Sequence, residues 1–588
     1  MWIFLLTLAL AKAQEFQTFQ TTTSLRRNYN PIQLVNWKWN CDADYKCRRI
    51  KGDKENKNKQ YFHYIEGCKS VCGLYGSLWP RPTGETKINH ELEAFNLEDI
   101  AVKFDSPKDA NEQFDEILTE AWSIFSQYLA VKGHSKIRNG GKNIKSKRSH
   151  VLVKITVQSQ DLTLDLKTDE SYSCSINTRK GSAPRDEVIV HVIANTFYGA
   201  RHALESLSQL ITFDPIESCH RIPSSVKLKD MPTYPYRGVL LDTGRNFYSV
   251  PSIKRIIDGL SYNKLNVLHW HMNEQQSFPF VSERVPNLTR FGAYNADSVY
   301  YKDEIKGLVM YARQRGVLLL PEFDAPAHAS YGWQFGPEAN LGNLTTCFGQ
   351  HWEDDSGGHL APEPPAGQLN PLNENVYKIL GELFKDMIEA FTPMHSKEPL
   401  KIFHLGGDEV NFKCWEREAQ IKQWMAGQGF ETDSGLSNQG YLYLWSLFQE
   451  KALKELVKSN QGKKFEDGTI LWTSELTKPE HISKYDKYLK LKISNPNLII
   501  CRFIDASKYI IQVWTTGTDP TIGELLKQKY RLIMSNYDSW YLDCGFGAWL
   551  YSDVGPDTNW CAPFKGIFSC EIKVVNKVFA NFLVKSNM

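Results

Sequence analysis

Residues 402–410 read Ile402-Phe-His-Leu-Gly-Gly-Asp-Glu-Val410, a short apolar strand pattern that runs into two glycines and two adjacent carboxylates. In an unbroken strand, neighbours face opposite sides of the sheet, so Asp408 and Glu409 share a pocket only where strand gives way to loop. Gly406 and Gly407 supply that break, because glycine adopts backbone angles closed to other residues and lets a ligand approach. A polar strand end of this kind is where a barrel enzyme carries its reactive groups. As a bare dipeptide, Asp-Glu describes a solvated surface pair equally well, so the surrounding chain has to decide.

From Tyr236 onward, apolar runs alternate with amphipathic helical patterns, the grammar of a parallel β/α sheet. Seven strands are predicted: Gly238–Asp242, Leu265–His271, Val317–Phe323, Ile402–Leu405, Thr469–Thr473, Tyr509–Trp514 and Arg531–Asn536. Helices are predicted between them at Ser252–Tyr262, Asp303–Arg315, Asn375–Phe391, Leu442–Val457 and Ile522–Lys529, and polar or aromatic residues gather just after the strands. No eighth strand is evident before the tail 566–588. The expected fold class is therefore α/β, a (β/α)8-type TIM barrel with seven strands evident, over residues 231–565. Two sheet edges then need covering, since an unpaired edge invites aggregation. Residues 90–225 mix β-rich runs with helical patterns and read as a smaller α+β domain, with the basic, Gly-rich stretch Val131–His150 as an exposed loop.

The chain has 588 residues, a net charge of +2 and ordinary charged and hydrophobic fractions, which allow a large core. So small and dispersed a charge gives no argument for nucleic acid or an anionic membrane as the main partner, and neither is expected. Trp2–Ala11 is a short apolar run ending in Ala11-Lys12-Ala13, read as a signal peptide over residues 1–13. It is shorter than the roughly 20 residues a spanning helix needs, so no membrane anchor is expected. Twelve cysteines fit an oxidising compartment, and Cys41/Cys47 with Cys68/Cys72 read as a disulfide knot within residues 14–89. Zinc is the competing reading there, but no histidines complete a ligand cluster. Sequons at Asn287 and Asn343 agree with export, to the extracellular space or a lysosome. His269 and His271 alternate along one strand, but no carboxylate or cysteine pattern completes a metal site in the sequence, so neither metal nor cofactor is expected.

Arg237-Gly-Val-Leu-Leu-Asp-Thr-Gly-Arg245, Leu268-His-Trp-His271, Pro321-Glu-Phe-Asp-Ala-Pro-Ala-His328 and His404–Val410 together resemble the family 20 β-N-acetylhexosaminidases. The resemblance runs from Trp37 to about Pro563 and includes Leu78-Trp-Pro-Arg-Pro-Thr83. Trp472-Thr-Ser, Gln512-Val-Trp514 and Tyr541-Leu-Asp-Cys544 bring it nearest to the insect chitooligosaccharide-degrading members. It implies exo-acting, retaining hydrolysis of terminal N-acetylglucosamine or N-acetylgalactosamine from chitooligosaccharides or N-glycans, with the substrate's acetamido oxygen as nucleophile, an exception to the two-carboxylate scheme. Under that reading Glu409 is the acid and base, Asp408 accepts the acetamido N–H, and Tyr541 donates to the acetamido oxygen. His328 links Glu409 to a further carboxylate. Arg245 and Asp543 bind sugar hydroxyls, Trp472, Trp514 and Trp549 wall the pocket, and Trp352 and Trp560 extend it to a second sugar. A homodimer is also implied.

Three departures from the family pattern stand out. Glu274 occupies a position usually held by aspartate, and if it serves the His328 relay its extra methylene displaces the carboxylate by about 1 Å, worth roughly 100-fold in rate unless the loop adjusts. Ile493–Ser507 is an apolar insertion whose Cys501 has no evident partner. Gly566–Met588 replaces the stretch that carries the eighth strand, a tryptophan and a glutamate of the sugar pocket. The alternative function is therefore a catalytically impaired or carbohydrate-binding member.

Overall fold

The computed structural model describes residues 36–52, 60–133, 148–181, 185–352, 358–394, 396, 398–432, 435–481, 504–540 and 583–584. Seven parallel strands form one curled sheet: β1 (Gly238–Asp242), β2 (Val267–His271), β3 (Leu318–Glu322), β4 (Ile402–His404), β5 (Gly468–Trp472), β6 (Tyr509–Val513) and β7 (Arg531–Met534). Each pairs with the next in chain order. β2, β5 and β6 are buried at every position, as expected of parallel strands covered on both faces. On the outer edge of β7, Leu583–Val584 pairs antiparallel with Leu532 and Ile533, and among the described residues β1 has a neighbour on one side only.

Five helices follow the predicted rhythm: α1 (Val250–Tyr262), α2 (Lys302–Arg313), α3 (Glu374–Phe391), α4 (Asn438–Ser459) and α5 (Pro520–Lys527). Their starts are written in the sequence. The side chain of Asn373 accepts the Asn375 N–H ahead of α3, Ser437 accepts the Gly440 N–H ahead of α4, and Asp519 precedes Pro520 at the first position of α5. Val376, Leu380, Leu383, Phe384 and Met387, three or four apart, bury one stripe of α3 in the barrel core.

Ahead of the barrel, six strands form a mixed sheet in the order Thr86–Ile88, Ser225–Asp230, Tyr172–Arg179, Glu187–Ala194, His150–Val157 and Ile100–Asp105. Alternate residues of His150–Val157 are buried, giving the sheet its own core with the helices Glu112–Gly133 and Phe197–Leu210. The first of these helices reaches into the stretch expected as a loop, where Lys132 donates to the Ser208 carbonyl and so anchors the last turn. Phe197–Leu210 is buried on nearly every side because it lies between this sheet and the barrel. Its Arg201 donates to Ser261 of α1 at 2.8 Å, and its Tyr198 hydroxyl accepts from Arg313 of α2 at 3.3 Å.

Two disulfides, Cys41–Cys72 and Cys47–Cys68, close the N-terminal knot, deciding for bridges over zinc. A third, Cys347–Cys414, ties the loop after β3 to the segment after β4. The expected signal peptide, Ile493–Phe503 of the insertion and the tail other than Leu583–Val584 lie outside the described residues.

Candidate active site

The break after β4 takes the form the two glycines require. Strand geometry ends at His404, and Gly406, Gly407 and Glu409 all have positive φ, at 57°, 82° and 53°. A Cβ on Gly406 would lie 1.9 Å from Asp324 Oδ1 and 2.5 Å from its Cα, and one on Gly407 would lie 2.4 Å from Gln449 Nε2, so with both at positive φ any other residue is strained there. The Gly406 amide donates to His404 Nδ1 at 2.9 Å and the Gly407 amide to Asp324 Oδ1 at 2.7 Å. Glu409 is thereby held in a left-handed conformation that costs a non-glycine residue of order 1–3 kcal/mol, strain that persists where surroundings over-determine it.

His328, also at positive φ, brings the pair together with Glu274. Its Nε2 lies 3.3 Å from Glu409 Oε2 and 3.9 Å from Asp408 Oδ1, and its Nδ1 is 2.9 Å from Glu274 Oε2. Glu274 is fully buried and its carboxylate reaches the imidazole. Its other oxygen meets Arg245 Nη1 at 2.8 Å and His271 Nε2 at 3.1 Å. Arg245 also binds Asp242 at 2.6 Å and Glu363 through Nε at 2.8 Å and through Nη2.

Electrostatics follow from this packing. Burial pushes Asp408 up to about 6, with the His328 ring opposing and the Glu409 carboxylate adding to the rise. Burial and the nearby Asp408 carboxylate hold the proton on Asp324 well above the usual carboxylate range, so Asp324 donates to Asp408. Against the burial that would raise it, Arg245 and then His328 hold Glu274 well below that range. Against burial, the Glu274 carboxylate keeps His328 protonated well above the ordinary histidine range.

A second cluster lies beneath. Glu322, at the end of β3, is 2.7 Å from His269 Nε2, 2.8 Å from His271 Nδ1 and 3.1 Å from His404 Nδ1, and it accepts the Trp472 indole N–H at 2.7 Å. The carboxylate missing from the sequence reading of His269 and His271 is thus present, contributed by the neighbouring strand. The Gly406 amide occupies His404 Nδ1 and the indole occupies Glu322 Oε1, whereas Glu322 Oε2 and His269 Nε2 have no hydrogen-bond partner among the described residues.

Trp472 stacks on His269 at 5.7 Å and is almost wholly buried. Trp514 is half-buried and donates to the Thr473 carbonyl at 2.8 Å. Trp352 stacks on His359 at 4.6 Å, beside the Cys347–Cys414 bridge. The sequon Asn343 is exposed and Asn287 half-buried at a helix start. Tyr541, Asp543, Trp549 and Trp560 lie outside the described residues. Sequence reasoning gave no role to Asp324, Glu322 or Glu363. The first two lie inside the quoted Pro321–His328 motif, whereas nothing local marks Glu363 as a partner of Arg245.

Residues 234–573 match the glycosyl hydrolase family 20 catalytic domain, more than half of the chain and reaching into the tail set apart above, and residues 78–210 match a β-acetyl hexosaminidase-like domain. The chain belongs to glycosyl hydrolase family 20. The enzyme class read from the motifs, β-N-acetylhexosaminidase, follows with the family. The chain is 40% identical to the chitooligosaccharidolytic β-N-acetylglucosaminidase of Bombyx mori over 90% of its own length and 79% of that protein. It is 39% identical to the protein of the same name from Ostrinia furnacalis, covering 90% and 80%, and 32% identical to the probable β-hexosaminidase fdl of Drosophila melanogaster, covering 90% and 75%. Among solved structures, Flavobacterium johnsoniae chitobiase superposes with a TM-score of 0.55 at 21% identity, over 79% of this chain and 59% of that one. At that identity the likeness speaks for the fold of this family 20 chain.

Proposed function

We propose that this family 20 chain is an exo-acting, retaining β-N-acetylhexosaminidase that removes terminal N-acetylglucosamine, or N-acetylgalactosamine, by substrate-assisted hydrolysis. The observation that carries the reading is the single imidazole of His328, 2.9 Å from Glu274 and 3.3 Å from Glu409, with Asp408 on the same face. Glu409 protonates the leaving glycosidic oxygen as the acetamido oxygen attacks the anomeric carbon. It then takes a proton from the water that opens the resulting oxazolinium ring. Asp408 accepts the acetamido N–H and offsets the positive charge that develops on the group, and the proton held by Asp324 keeps Asp408 as the anionic partner. Arg245, backed by Asp242, Glu274 and Glu363, binds the hydroxyls of the terminal sugar, and so crowded a carboxylate wall supports a pocket closed at that end.

The roles of Tyr541, Asp543, Trp549 and Trp560 rest on their match to the family pattern. Trp472, Trp514 and Trp352 are aromatic walls for the first and second sugars. Chitooligosaccharides are the favoured substrates, because the chitooligosaccharidolytic relatives carry the highest identity given above. Secretion with cleavage after Ala13, glycans on Asn343 and Asn287, the division at residues 89, 225, 231 and 565, and a homodimer complete the proposal; no helix among the described residues is long and apolar enough to cross a membrane.

The test is a series of aryl β-N-acetylglucosaminides whose acetyl group is fluorinated stepwise. An acetamido nucleophile predicts a steep fall in kcat/KM with each fluorine, roughly 1000-fold or more across the series, within the span such catalysis can supply. A flat series would remove substrate assistance.

A further inference from the structure

The environment of His271 sets it apart from an ordinary core histidine. It ends β2 fully buried, and both ring nitrogens face carboxylates: Nδ1 lies 2.8 Å from Glu322 Oε2, and Nε2 lies 3.1 Å from Glu274 Oε1. A neutral imidazole has one N–H and presents a lone pair to one of these carboxylates inside the protein, whereas an imidazolium presents positive charge to both. We infer that His271 is a positioning residue, a permanently protonated imidazolium that clamps Glu274 and through it orients His328 against the acid Glu409. The inference rests on the hexosaminidase reading of Glu409 given above.

The clamp has a reason in this sequence. Glu274 has one more rotatable bond than an aspartate would have there, and a longer side chain loses more rotamer freedom when fixed. Here every lone-pair direction that matters is filled. Oε1 is shared by His271 and Arg245 at 3.1 and 2.8 Å, and Oε2 accepts from the Gln275 amide at 2.9 Å while lying 2.9 Å from His328 Nδ1. The contacts continue as alternating charges: Glu322, His271, Glu274, His328, Glu409. Other titratable groups facing His271 are Asp242 on β1, His269 on its own strand and Asp324 just beyond β3. Against burial, Glu322 and then Glu274 hold the ring protonated well above the ordinary histidine range. Arg245 stands behind Glu274, so the group that grips the sugar and the group that orients the acid share one carboxylate.

The decisive comparison is His271→Gln against the parent chain on chitobiose, whose departing sugar needs protonation, and on a 2,4-dinitrophenyl β-N-acetylglucosaminide, whose departing phenolate does not. The positioning role predicts that kcat/KM falls at least tenfold further on chitobiose than on the aryl glycoside. Equal losses on the two substrates, with a parent that cleaves both, would overturn the positioning role alone. A folded parent that cleaves neither would overturn the hexosaminidase reading and the role with it. Neutron diffraction of the parent at pD 8 decides the protonation state without any variant: deuterium on both His271 nitrogens is expected, and deuterium on one only would overturn the inference.

Discussion

Asp408 is paid for in stability. A carboxyl whose folded pKa lies near 6, against an ordinary value of 3.8, binds its proton more tightly when folded, so it penalises the folded state as pH rises through the window from about 4 to 6. Asp408→Asn removes the penalty. The variant should unfold at a higher temperature than the parent at pH 7, by a few degrees, with the difference shrinking at pH 4, where the folded parent already carries the proton. On the proposed mechanism the parent's kcat/KM should fall as pH drops below about 6, because a protonated Asp408 could not accept the acetamido N–H. Thermal scans at the two pH values and a pH–rate profile check both outcomes, and a variant less stable at pH 7 would remove the burial argument. Glu409, strained at φ 53°, belongs to the same pattern of a site that trades backbone comfort for geometry.

The elements around the site are pinned by contacts that span the chain. Cys347–Cys414 closes a loop of 67 residues, from the strand-end loop carrying Trp352 to the helix that starts three residues after Glu409. Beside it, Asn411 and Gln368 exchange hydrogen bonds at 3.0 Å, and Asn411 also holds the His359 carbonyl at 2.9 Å. Cys347→Ser with Cys414→Ser should destabilise the chain by about 4 kcal/mol. It should also raise KM for chitotriose more than for a simple aryl glycoside if Trp352 serves the second sugar as proposed; equal KM changes would separate Trp352 from that role. Much of this scale was legible. The strands from Gly238 to Arg531 carry long apolar runs and the helices carry stripes and caps, so local pattern and tertiary outcome agree. Gly406-Gly407 announced the break that faces Asp408 and Glu409 into one pocket. What the sequence hid are partnerships made by the curl of the sheet: Glu322 under His269 and His404, Asp324 against Asp408, and Glu363 on Arg245. Each joins residues from different strands or loops, and no spacing along the chain encodes which strand ends meet.

At the scale of the molecule, the first domain is clamped to the barrel by a buried ion pair. Glu170 receives Arg237 through two hydrogen bonds, 2.7 and 2.9 Å, and His202 at 2.8 Å, and it lies near the entry to β1. Against burial, Arg237 and then His202 hold Glu170 down to about 2, so its contribution is present above the ordinary value of 4.5 and is lost as pH falls through about 2. Glu170→Ala strands Arg237 in the interface and should cost about 3–5 kcal/mol at pH 7, read by denaturant unfolding; a loss under 1 kcal/mol would show that the two domains do not depend on the pair. The six-stranded sheet thereby supports the barrel entrance, where β1 leads to Arg245. In the proposed function, the parallel sheet from Gly238 to Met534 carries the hexosaminidase acid at Glu409. The measurement that tests it most directly is hydrolysis of a chromogenic β-N-acetylglucosaminide by the purified chain beside a Glu409→Gln variant of equal thermal stability. Turnover by the parent and a loss of roughly 100- to 10,000-fold in the variant is the predicted result. No turnover by a folded parent, or equal turnover by both, would contradict it.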